Sequence, residues 1–251
     1  MLPFTLVAAL ALGAGPRSGP APLTVSAAVS LANALEDIAR AYSAAGGGPV
    51  RFNFAGSNVL ARQIAAGAPV DVFVSADEAQ MSVAEAAGAI DRATRIALVG
   101  NRLAVVTRRG AAPLEHLREL ATPAFKRIAI GDPAAVPAGV YARQYLRAAG
   151  LWTALEPKLV PVGNVRAALA AAASGSVDAA LVYETDAAIS HEVDLAVVVS
   201  GPDAPRIEYP VAITSGTAHR AAAEQFVRFL AGPEAGAIFA RYGFTPLAGR
   251  R

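Results

Sequence analysis

The sequence predicts an α/β protein of two lobes, on the strength of two observations. Along its 251 residues, short runs of strand-forming residues alternate with segments of helical period, the pattern of sheets flanked by helices. A second round of this alternation starts at Asn101 with no flexible linker before it, so two joined units with a cleft between them are expected.

Residues 23–29 (LTVSAAV) read as a buried strand. Leu31, Ala34, Leu35, Ile38 and Tyr42 then recur at the spacing of one helical face, until Gly46, Gly47 and Gly48 break the chain. Strands are expected at 50–54 and 70–75, with helices at 59–66 and 78–87. In the second round the expected strands are 103–107, 128–130, 159–162, 179–183, 195–199 and 207–214. Helices fall at 140–149, 165–173, 218–230 and 233–241, and each sheet is expected to be mainly parallel.

Composition removes several function classes. Hydrophobic residues make up 54% of the chain, but Ala dominates them. Beyond the N-terminal stretch no apolar run reaches the roughly 18 residues of a membrane-spanning helix. The net charge is only +2 and the basic residues are scattered, unlike the basic stripe of a nucleic-acid binder. With no cysteine, the chain has no disulfide, thiolate metal site, Cys nucleophile or lipid attachment through an N-terminal Cys. His116, His191 and His219 lie far apart and read as surface or capping residues, not metal ligands. Neither a G-x-x-x-x-G-K-[ST] loop nor a G-x-S-x-G elbow occurs, so no enzymatic chemistry has a visible carrier.

The first residues differ from the rest. Residues 1–14 (MLPFTLVAALALGA) are apolar, with small residues near Ala11 and Ala14, as in an export signal with its cleavage site. No Lys or Arg precedes Arg17, however, and a buried first strand or an uncleaved anchor is the alternative. Residues 1–21 are read as the export signal, which implies a periplasmic protein.

Four strand-to-helix junctions stand out. Ser30 follows the first strand, Ser57 opens the helix containing Leu60 and Ile64, Pro137-Ala138-Gly139 opens another, and Asn164 precedes the helix from Val165. The first N–H groups of a helix lack an intrahelical partner and carry partial positive charge, so such a start is a ready anion site. In parallel sheets these starts lie at the carboxyl ends of strands, where ligands bind. Taken singly, each is also an ordinary helix cap, worth about 1 kcal/mol without any ligand.

Several stretches in order resemble the periplasmic molybdate-binding proteins of ABC transporters: VSAAVSLANALEDIA (25–39), FAGSNVLARQIAAGAPVDVFVSAD (54–77), GDPAAVPAGVYAR (131–143), NVRAALA (164–170), ALVYETDA (180–187), EYPVA (208–212) and RYGF (241–244). The resemblance implies a type II periplasmic-binding-protein fold, two α/β lobes joined by crossing strands and closing on ligand like a hinged trap. The first lobe would hold residues 22–99 plus 213–251, and the second 100–212. It further implies a tetrahedral oxyanion, molybdate or tungstate, held by two serine hydroxyls, two backbone amides and a tyrosine hydroxyl. On this chain those fall on Ser30, Ser57, the amides of Ala138 and Val165, and Tyr183. Gly56, Asn58 and Val59 depart from the Ser- and Thr-rich surroundings common in similar proteins. A monomer that delivers to a membrane permease and its ATPase is the implied context, with no cofactor and no direct metal-cation ligand. The competing readings are a binder of sulfate, thiosulfate or another anion, or an enzyme or sensor on the same scaffold.

A tetrahedral dianion offers only acceptors, so a site built of donors suits it. Protonated phosphate would bury an O–H without a partner, at a cost of about 1–3 kcal/mol. Asp71 and Asp77 would supply an acceptor, but both are expected to be structural caps, and Arg62 and Arg166 are expected on the lobe surface.

Overall fold

The computed structural model describes residues 21–247, so the expected export signal lies almost wholly outside the described residues. The chain runs through β1 (Leu23–Ala28), α1 (Ala32–Ala44), β2 (Val50–Ala55), α2 (Ser57–Ala65), β3 (Val72–Val74), α3 (Glu78–Ala86) and β4 (Ile96–Asn101). It then crosses into β5 (Leu103–Arg108), β6 (Ile128–Gly131), α4 (Pro137–Ala148), α5 (Trp152–Leu155), β7 (Leu159–Val162), α6 (Val165–Ala173), β8 (Ala179–Tyr183), α7 (Glu184–Ala188) and β9 (Val193–Val198). It returns through β10 (Ile207–Ile213) and ends in α8 (Arg220–Leu230), α9 (Pro233–Arg241) and β11 (Thr245–Pro246).

Two sheets result, with strand orders β11-β4-β10-β3-β1-β2 and β7-β6-β8-β5-β9. The α/β class is as expected, but the sheets are mixed and not mainly parallel. β1 is parallel to β2 and β3, whereas β10 runs antiparallel to β3 and β4. In the second sheet β6 is parallel to β7 and β8, and β5 antiparallel to β8 and β9. β5 and β10, the strands that enter each sheet at the two crossings, run back against its βαβ units, and the C-terminal β11 also pairs antiparallel with β4. β10 therefore belongs wholly to the first sheet, and residues 207–212, assigned by sequence to the second lobe, pair in the first.

Local sequence explains the elements that carry the cleft. α1 buries Ala34, Leu35, Ile38 and Tyr42 on one face. The Tyr42 ring sits 5.1 Å from Phe226 and 5.2 Å from Phe229, which ties α8 to the first sheet's half. α3 is capped by Asp77, whose carboxylate accepts from the Gln80 amide, and α6 by Asn164, whose side chain accepts from the Ala167 amide. Pro210 lies inside β10, where it cannot donate to the ladder, and the register shifts between Tyr209 and Pro210 as a bulge. The fully buried Tyr209 packs at 5.8 Å from Tyr183 and 5.7 Å from Phe244, an aromatic chain that joins the two halves behind the cleft.

Candidate functional site

Two sets of strand ends and helix starts face each other across the cleft. From the first half come Ser30, in the 3-10 turn Val29–Leu31 after β1, and Ser57, the first residue of α2. From the second come Ala138 in the first turn of α4, Val165 opening α6, and Tyr183 ending β8. All five line one cavity of about 20 Å³. That is below the roughly 300–1,000 Å³ of sites for drug-sized ligands and suits a small ion. Its wall contains no charged side chain.

The two serine hydroxyls have partners within the protein, and the tyrosine hydroxyl has none among the described residues. The Ala76 amide donates to Ser57 Oγ at 2.9 Å, so the serine's own hydrogen is left for another acceptor. Ser57 is thus not the helix cap its position suggests; Gly56 holds that place and no side chain caps α2. Ser30 Oγ lies 3.2 Å from Tyr209 Oη, and either hydroxyl can be the donor. Asn101 Nδ2 donates to that same Tyr209 oxygen at 3.2 Å and to Thr185 Oγ1 at 2.9 Å. Tyr183 Oη is buried with no hydrogen-bond partner among the described residues. Burial, and after it the neighbouring Tyr209 and Tyr141, push the Tyr183 phenol well above its ordinary value, so it remains a neutral donor.

The amides are aimed by helix starts. Ala138 and Val165 stand in the first turns of α4 and α6, where N–H groups have no intrahelical carbonyl to reach. At α4 the approach is close: a Cβ on Gly139 would stand 1.9 Å from the Gly131 carbonyl oxygen, so only glycine lets β6 and α4 meet. Gly56 allows a similar approach between the halves, since a Cβ there would lie 3.1 Å from the Gly163 carbonyl oxygen.

The neighbouring charges sit outside the cavity wall. Asp77 is a cap, with burial raising its carboxyl above the ordinary range. Asp71 is a cross-link, accepting from the Thr24 amide at 2.7 Å and the Thr217 hydroxyl at 2.6 Å, with His219 Nδ1 at 3.1 Å. Arg62 is exposed, as expected. Arg166 is not on the open surface: its side chain is mostly buried against Asp186, Nε to Oδ1 at 2.5 Å. Sequence reasoning also gave no role to Tyr209, Asn101 or the Ala76 amide. Their partners lie 179, 108 and 19 residues away, and the one local hint is a Pro beside Tyr209 inside a strand.

Two mixed-sheet halves closing on a small neutral cavity define the class of a solute-binding protein. The chain belongs to the family described as bacterial extracellular solute-binding protein, whose profile matches residues 23–245. It is similar to the molybdate-binding protein ModA of Escherichia coli (strain K12), 40% identical over 228 residues that cover 89% of this chain and 88% of the relative. Among solved structures it resembles the periplasmic molybdate-binding protein of Azotobacter vinelandii, at 27% identity and TM-score 0.80, covering 90% of this chain and 99% of that one. It also resembles the substrate-binding domain of a putative molybdenum ABC transporter from Clostridium difficile, at 30% identity and TM-score 0.71, with the same coverage of 90% and 99%.

Proposed function

We propose that this protein captures molybdate or tungstate in the cleft and delivers it to the permease and ATPase of an ABC importer. The ion is held by the hydroxyls of Ser30, Ser57 and Tyr183 and the amides of Ala138 and Val165. The observation that carries this reading is a cavity wall without charged side chains in which hydroxyl hydrogens are left to give: Ser57 Oγ accepts from the Ala76 amide and keeps its own hydrogen, and Tyr183 Oη has no partner among the described residues. With an acceptor-only ligand, each hydroxyl is free to turn its hydrogen toward the anion. A protonated oxyanion meets no carboxylate in this wall to take its hydrogen, and an O–H buried there without a partner costs about 1–3 kcal/mol. Similarity to ModA and to two molybdate or molybdenum binders supports the choice of ion.

Export through residues 1–21 to the periplasm belongs to the same reading, supported by a family described as extracellular, and the protein is taken to act as a monomer. The lobes in this reading divide at the two crossings, 21–101 plus 207–247 against 102–206, which follows the strand pairing. A thermal-shift titration with molybdate, tungstate, sulfate and phosphate tests the function. A specific ligand stabilises by RT ln(1 + [L]/Kd), about 2.7 kcal/mol at a hundredfold excess over Kd. Molybdate and tungstate are expected to raise Tm strongly and phosphate not at all; equal shifts by sulfate or phosphate would refute it.

A further inference from the structure

Arg166 directly follows Val165 at the start of α6, and its guanidinium spends its donors in two directions. Nε donates to Asp186, whose side chain is fully buried in the same half. Nη1 crosses the cleft to Asn33 Oδ1 on α1 at 3.1 Å, and Nη2 crosses to the Ser30 carbonyl oxygen at 3.3 Å. The other oxygen of Asp186 accepts from the Tyr183 amide at 3.4 Å. One guanidinium thus bonds the Ser30 backbone directly and is linked to the Tyr183 amide through Asp186, joining both halves without lining the cavity.

We propose that Arg166 is a positioning residue, a latch that binds the Ser30 turn and Asn33 across the cleft and so holds the two halves closed on the ion. Geometry makes the role specific to arginine. A planar fork presents donors in fixed, divergent directions and can satisfy a carboxylate on one edge while reaching a carbonyl and an amide oxygen on the other. A lysine ammonium is a point charge and cannot span all three. The buried Asp186 carboxylate anchors the latch on one side, so the crossing bonds are the ones free to break when the halves part. Such a residue acts on how long the closed form lasts, and therefore on dissociation more than on encounter.

The latch rests on the oxyanion reading only in its choice of probe, and the experiment separates the two. Arg166→Lys keeps the charge beside Asp186, and Asn33→Ala leaves the Arg166–Asp186 pair intact, so neither strands a buried carboxylate. Because the chain has no cysteine, Val83→Cys on α3 and Leu195→Cys on β9, both exposed, give two unique label positions on opposite halves. Pulsed electron-spin distance measurements are made on each variant without ligand and with saturating molybdate, alongside stopped-flow dissociation of molybdate. Both substitutions are expected to lengthen the distance distribution and to speed dissociation by about 5- to 20-fold, with association within about twofold of wild type. Unchanged distances together with an unchanged dissociation rate would overturn the latch. So would weaker binding that follows a loss of ligand-free thermal stability while the distances stay the same. A wild type that binds neither molybdate nor tungstate sinks the ligand reading instead, and the ligand-free distance distributions of the two variants then decide the latch alone.

Discussion

Tyr183→Phe separates binding from folding more sharply than any other change in the cavity. The Tyr183 hydroxyl is 1% exposed at the level of the residue and has no hydrogen-bond partner among the described residues, so removing it breaks no bond of the fold. A buried hydroxyl without a partner itself costs about 1–3 kcal/mol, so unliganded stability should hold or rise slightly. Binding should move the other way. A hydrogen bond to a charged acceptor contributes about 1.5–3 kcal/mol, and its loss weakens molybdate roughly 10- to 150-fold. Titration calorimetry gives the affinity and urea denaturation of the ligand-free variant gives the stability. Because burial holds the phenol well above its ordinary pKa, wild-type affinity is also expected to stay flat from about pH 7 to 9. Phenylalanine at this position with wild-type affinity would remove Tyr183 from the site. A substantial loss of unliganded stability would show that the hydroxyl has a structural partner after all.

Other substitutions give contrasting signatures. Ser57→Ala should lower molybdate affinity by about 5- to 150-fold and also lower unliganded stability by about 1–3 kcal/mol, because it strands the buried Ala76 amide; calorimetry and urea melts read the two losses separately. In Gly139→Ala the added methyl meets the Gly131 carbonyl, so α4 must shift and carry the Ala138 amide with it; affinity is expected to fall at least about tenfold, read by calorimetry, with a destabilisation of order 1–3 kcal/mol. At Asp71, burial raises the carboxyl, but bonds from Thr217, the Thr24 amide and His219 outweigh it and the pKa is lowered. A carboxyl depressed on folding stabilises above its unfolded pKa of about 3.9 and loses that contribution as pH falls through the folded value. Asp71→Asn should therefore be less stable than wild type at pH 7, and the gap in urea midpoints should close as the pH is taken below about 3.9.

The fold was legible where the signal is local. Period and turn residues mark α1 by Leu35, Ile38 and Tyr42, and they mark β7 and α6 to their ends. Strand direction is not local, so the antiparallel course of β5 and β10 could not be read from apolar runs, which look the same in either sense. Short elements such as α7 and β11 were missed because a few residues carry no period; tertiary contact, not propensity, makes them. Within the site, the positions that meet at the cavity lie at the strand-to-helix junctions visible in sequence, with Tyr183 supplied by the family resemblance alone. What stayed hidden is the support behind them. Asn101 and Tyr209 are joined to the junctions only by the crossing of the chain, and Arg166, which reads as one more surface cation on an Ala-rich helix, is turned inward by the buried Asp186.

The candidate donors are divided unevenly between the halves, with Ser30 and Ser57 on one side and Ala138, Val165 and Tyr183 on the other. In the proposed function neither portion alone is a tight site, and the full set would behave as a chelator whose arms sit on two frames able to part. A small angular parting of the frames does not weaken the grip in proportion; it strips away one whole set of bonds together, and water replaces them. A partner that gains even a few kcal/mol by gripping both rims in a parted arrangement would therefore empty the cavity in a single event, without touching the ion or any residue that holds it.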